Sequence, residues 1–176
     1  SGAPGRIRLQ AVVDGTTTAL EGDAALAALP GLLTQPTAAV WVDLAEPSPA
    51  QVEAVGAALR LHPLIVEDVL EGNQRAKIET TDGVVHIVLF ALERAGTGDV
   101  GAFTASEIDI VLGLGFLLTV HDRSWDPRAS HHLRSGAGPI LAHGPDHLLW
   151  AISDDIVDGY FPFADRLGDA LDDVQD

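Results

Sequence analysis

Apolar positions along this chain change period several times, and each change marks an element. Residues 6–13 partly alternate and predict a first strand, which Asp14-Gly15 ends. Ala and Leu at helical spacing over 23–29 predict a short helix, stopped by Pro30-Gly31. The run at 38–44, AAVWVDL, predicts a buried strand. Ser48 as N-cap and Pro49 as first helical residue open a helix with Val52, Val55, Ala58 and Leu59 on its apolar face, running to Leu61. His62-Pro63 opens a second short helix, with Leu64, Ile65, Val69 and Leu70 toward the core and Gly72 as its stop.

The period then shortens. Asp82-Gly83 between 76–81 and 83–94 predicts a hairpin, and Gly96 to Gly101 reads as a loose loop. Residues 106–113 and 115–121 predict two more strands, Asp122 to Asp126 a loop, and 127–134 a weak helix. From Asp146 the helical period returns. Leu149, Ile152, Ile156, Tyr160, Phe163, Leu167, Ala170 and Val174 recur at steps of three and four, the spacing of a helix that packs on another helix. Pro162 is expected to kink it. The stripe is still running at Asp176, so the helix is expected to continue in a longer protein. The fold expected is α/β: a mixed β-sheet sandwiched between helices over residues 1–145, then the start of a long helix over 146–176.

Charge narrows the function. Asp and Glu number 26 against 10 Lys and Arg, a formal net charge of −16. Such a surface repels nucleic acid and anionic lipid, so cations or a basic neighbour are the expected partners. There is no cysteine, which excludes disulfides, thiolate metal sites and cysteine nucleophiles. The most apolar run, Ile110 to Val120, is about half the roughly 20 residues a membrane helix needs. Residues 1–30 lack the charged start and apolar run of a secretory signal.

No phosphate loop, GxSxG or HExxH motif occurs. His121-Asp122 closes an apolar strand and reads as a strand end. His143 and His147 have the spacing of a helical zinc pair, but Gly144-Pro145 lies between them. His131 and His132 are adjacent and could not both reach one ion from a regular helix, so they read as surface loop residues. Carboxylates give the richer signal. Glu67 and Glu71 share a helix face with Asp68 beside them, and Asp154, Asp155 and Asp158 cluster on the last helix. Oxygen-only donor sets suit hard ions such as Mg2+ and Ca2+, whereas a solvated helix face needs no ion at all.

One stretch decides between these. Leu61-His62-Pro63-Leu64-Ile65-Val66-Glu67-Asp68-Val69-Leu70 is followed by Asn73-Gln74-Arg75-Ala76-Lys77-Ile78-Glu79. It closely resembles the cytoplasmic domain of the CorA family of magnesium transporters, whose pattern runs His-Pro-Leu, Glu-Asp, then Gln-Arg-Pro-Lys, an apolar residue and Glu. Trp41-Val42-Asp43-Leu44 is similar to that family's early strand. Asp146-His147-Leu148-Leu149, Asp154, Ile156-Val157-Asp158 and Tyr160-Phe161 look like the start of its stalk helix. Ala76 stands where the family has proline, and Arg60-Leu61 replaces its usual glycine.

The resemblance implies a regulatory domain of a divalent-cation channel, not an enzyme. It implies a homopentamer in the full-length cell-membrane protein, with this domain on the cytoplasmic side. The membrane would be met only through helices absent from this chain, and the fragment alone could be a monomer or dimer. Mg2+ would bind between neighbouring copies and favour the closed pore, with Co2+ and Ni2+ as further ions. By position, Asp68 looks like the leading metal ligand, with Glu67 beside it and Asp154 at a second site. The alternatives are a Zn2+ transporter of the same superfamily and a soluble metal-binding or oligomerisation module.

Overall fold

The computed structural model describes residues 5–94 and 103–175, with no side-chain detail for Arg94 or 169–175. The loop expected at Gly96 to Gly101 lies outside the described residues. The chain begins with a hairpin, β1 (Arg6–Val13) and β2 (Thr16–Glu21), then α1 (Gly22–Leu33) and β3 (Ala39–Ala45). Two short helices follow, α2 (Pro49–Ala58) and α3 (Pro63–Glu71). Next come β4 (Lys77–Thr81), β5 (Val84–Arg94), β6 (Phe103–Gly113) and β7 (Phe116–His121). A 3-10 turn at Pro127–Ala129 leads to α4 (Gly138–Leu141), α5 (Pro145–Asp158) and α6 (Phe161–Gln175).

The strands form one sheet in the order β2-β1-β3-β7-β6-β5-β4. Only β3 and β7 pair in parallel among the described strands, and they are central. Every residue of both is buried, because each is covered on two faces. Strand alternation sorts the side chains into two layers. Val40, Val42 and Leu44 join Leu9, Val111 and Leu118 under α1, α2 and α3. Ala39, Trp41, Ile108, Ile110 and Leu117 face the other way, against Leu141, Leu148, Ile152 and Ile156. The fold is thus the expected mixed sheet between helices, with a helix at the C-terminal end.

Four local expectations change. Asp14-Gly15 does not merely end β1; both residues have positive φ and form the tight turn into β2. Pro30 does not stop α1, which runs on to Leu33 with Pro30 inside it. The weak helix at 127–134 is only the three-residue 3-10 turn. The last helix is two helices, broken at Gly159–Tyr160 rather than kinked at Pro162. Pro162 is the second residue of α6, a position where its missing N–H has no intrahelical partner to lose.

Candidate functional site

The helix carrying Asp68 and Glu67 is fixed at both ends by its sequence. The Leu64 N–H donates to His62 Nδ1 at 3.2 Å, Pro63 takes the first helical position, and Gly72 leaves the helix at φ +59°. Ile65 is buried in the core, and Val66 presses on α2. A Cβ built on Gly56 of α2 would lie 2.8 Å from Val66 Cγ2, so only glycine allows this approach. Beyond α3 the Gln74 N–H donates to Glu107 Oε1 at 3.2 Å, which ties the following segment to β6.

Neighbours on a helix diverge by about 100°, and the two predicted ligands go to different surroundings. Asp68 turns toward β4, where Lys77 Nζ donates to its Oδ2 at 2.6 Å and to Glu79 at 3.0 Å. The hydrogen bond to Asp68 leads the effects that raise the Lys77 pKa above its ordinary value. Glu67 instead lines a groove of about 470 Å³ between α2 and α3, with Glu53 and Glu71 beside apolar Leu61, Val66 and Leu70.

Asp154 lies elsewhere. It sits on α5, across the sheet from α3, because the two helices cover opposite core layers. His132 Nε2 donates to Asp154 Oδ2 at 2.8 Å, and that bond is the first cause of a raised His132 pKa. A single chain therefore does not bring Asp154 together with Asp68 and Glu67.

Two buried polar networks were not visible in the sequence pattern. The larger centres on Asp43, which is 1% exposed. Its Oδ1 accepts from Thr119 Oγ1 at 2.7 Å and from His121 Nε2 at 2.8 Å, and its Oδ2 accepts from Arg8 Nε at 3.1 Å. Trp41 Nε1 donates to Thr119 Oγ1 at 3.0 Å, and Arg8 reaches on to Asp126. Burial pushes the Asp43 pKa up, but the His121 hydrogen bond and charge, Thr119 and Arg8 together hold it below the ordinary value. His121, expected only to end a strand, also joins β7 to β3 here. The second pair is His86 Nε2 to Asp109 Oδ1 at 2.7 Å, between β5 and β6. Asp43 with its Arg8, Thr119 and His121 partners, and the His86–Asp109 pair, are buried in the sheet and tie strands together.

The cleft beside α5, about 240 Å³, is more open to solutes. It is lined by Glu93, Trp125, Asp126, Ser130, His131 and Asp155. Burial first, and the Asp122 charge second, raise the Glu93 pKa. His143 and His147, the other spaced pair, approach with ring centroids 5.6 Å apart, but Gly144 at φ +123° separates them and His147 turns to Asp146.

A profile of the family described as CorA-like Mg2+ transporter protein matches residues 37–176. The chain is 31% identical over 137 residues to YfjQ of Bacillus subtilis (strain 168), an inferred metal ion transporter, covering 77% of this chain and 41% of that protein. It is 28% identical over 126 residues to the cobalt/magnesium transport protein CorA of Thermotoga maritima, covering 69% and 34%. The chain thus spans well under half the length of these curated relatives. The soluble domain of CorA from Methanocaldococcus jannaschii superposes with a TM-score of 0.65 at 16% identity, covering 96% of this chain and 62% of that one, a likeness of fold.

Proposed function

The chain belongs to the CorA-like Mg2+ transporter family, and we propose that it is the cytoplasmic regulatory domain of a divalent-cation channel whose closed pore is favoured by Mg2+ bound between copies. The observation that carries this reading is the family match across residues 37–176, which includes both acidic helices, α3 and α5. The pore is assigned to the length that the relatives have and this chain does not span. No described helix is long and apolar enough to cross a membrane.

The chemistry supports an ion shared between copies. Asp68 sits partly exposed at the edge of the domain, answered by one ammonium, and Glu67 stands one residue away in the groove. Mg2+ keeps several waters and needs only one or two carboxylates, so Asp68 with an acid from a neighbour suffices. Because Asp154 lies across the sheet, it is assigned to a second site, also completed by a neighbour. Copies carrying a net charge of −16 repel one another until cations are shared, so occupancy biases a two-state assembly. The assembly proposed is a homopentamer of the full-length membrane protein. Mg2+ is the regulatory ion, Co2+ and Ni2+ are further transported ions, and no catalytic step is assigned.

The test is ion flux into proteoliposomes carrying the full-length protein. Raising Mg2+ on the side of this domain is expected to slow Mg2+ entry, and Asp68→Ala is expected to shift that inhibition to higher Mg2+. Inhibition unchanged in the variant would remove Asp68 from the regulatory site. Flux carried by Zn2+ and indifferent to competing Mg2+ would make this the domain of a zinc transporter instead.

A further inference from the structure

A second metal chemistry is present on the other side of the sheet, within one chain. His131, His132 and Asp155 each offer a donor atom, and these atoms all lie within 4.8 Å of one another. Adjacent histidines in a helix would diverge, but this segment is not helical. Ser130 turns extended at φ −54° and ψ 141°, and the Leu133 N–H donates to the Ser130 carbonyl at 3.2 Å. His131 and His132 are therefore the two central residues of a turn, with ring centroids 5.5 Å apart.

The third donor is held in advance. Asp155 lies on α5 between Ile152 and Ile156, which anchor that helix in the core. Its Oδ2 accepts from the Ser130 hydroxyl and from the His132 N–H. Among the described residues nothing donates to its Oδ1. His132 Nε2 donates to Asp154, so ligation through Nδ1 keeps that bond in place. A ligating imidazole whose other ring nitrogen donates to a carboxylate is the usual outer-shell arrangement at zinc.

We propose that His131, His132 and Asp155 form an intrachain Zn2+ site that clamps the 130–133 turn onto α5. Two imidazoles and one carboxylate suit Zn2+ and not Mg2+, which takes oxygen donors. Zn2+ bonds of about 2.0–2.2 Å place tetrahedral donors about 3.3–3.6 Å apart, so side-chain rotation within the turn closes the site. The adjoining cleft leaves room for a water as fourth ligand. This site is independent of the Asp68 reading and shares only Asp154, here the partner of His132 and not a ligand, with the second Mg2+ site.

Equilibrium dialysis of this chain against Zn2+ with Mg2+ in excess tests the site, with the visible absorption of bound Co2+ reporting tetrahedral coordination. One tight Zn2+ per chain is expected. His131→Ala and His132→Ala are each expected to weaken it at least about tenfold, and Asp154→Asn to weaken it less severely. Asp68→Ala and a His143→Ala/His147→Ala double variant should bind as the parent does. His131 is exposed, so its replacement leaves the fold intact even if Asp155→Ala loosens the turn. Binding that survives loss of both His131 and His132, or disappears with His143 and His147, overturns the assignment.

Discussion

Asp43 is charged, almost fully buried and answered from the strands on both sides of it, β1 and β7, so its side chain decides more than its own position. Removing it strands the Arg8 and His121 side chains, although Arg8 keeps Asp126. Breaking a buried ion pair by removing one member costs about 3–5 kcal/mol, and the remaining partner argues for the lower end. Asp43→Ala should therefore lower the urea midpoint by the equivalent of about 3 kcal/mol, with little change in slope. The pH dependence has a definite sign. The folded pKa lies below the ordinary 3.8, so the unfolded chain takes up the proton first. The stability Asp43 contributes is complete above about 3.8 and is lost as pH falls from there toward the folded value. Asp43→Asn should flatten that acid limb in a pH series of melting curves. An unchanged limb would show that other carboxylates govern it.

Residue roles were unevenly legible before the fold was known. Asp68 and Glu67 stood out through the motif around them, but its partner Lys77 is joined only by the way α3 meets β4. Asp43 lies in an apolar run that gives no sign of its six-residue network. Helical geometry would part the side chains of His131 and His132, and the turn found there instead brings the rings together.

At the scale of elements, the contact between α2 and α3 places the acidic groove and the Asp68 edge. That contact depends on Gly56, whose missing side chain admits Val66. Val66 is β-branched and stiff in a helix, so a new methyl forces the helices apart instead of turning the side chain. Overpacking of this kind costs about 1–3 kcal/mol. Gly56→Ala should be destabilising by that amount despite the better helix propensity of alanine, and Val66→Ala in the same chain should recover part of it. Equal stability of Gly56→Ala and parent in urea titrations would mean that the helices separate freely. Strong punctuation was readable along the rest of the chain: Ser48-Pro49, His62-Pro63 and Asp82-Gly83 each begin or turn an element as expected. Weaker signals misled where packing overruled them. Asp14-Gly15 was the same dipeptide as Asp82-Gly83, but the polar, exposed Thr16–Glu21 strand after it lacks an alternating apolar face. Pro30 costs α1 the one bond its N–H would donate to the Leu26 carbonyl, and the helix runs only three residues past it.

For the whole molecule, opposing forces meet along α5 and α6. Trp150, Val157, Phe161 and Leu167 are exposed apolar residues there, while Asp154, Asp155, Asp158 and Asp165 lie on the same two helices. Apolar burial favours pairing of this surface with another copy, at roughly 25 cal/mol per Å² covered, while a net charge of −16 opposes it. Simple salt weakens the repulsion only by screening, over a Debye length of about 8–10 Å near physiological ionic strength. A divalent ion held between carboxylates removes it locally. Sedimentation should therefore show more association in MgCl2 than in NaCl of equal ionic strength. Phe161→Glu and Leu167→Glu should suppress association in both salts, because they remove the apolar gain itself. Asp68→Ala should suppress only the excess specific to Mg2+. Equal association in the two salts would reduce the role of the carboxylates to general screening and leave the apolar helix surface as the sole cause of assembly.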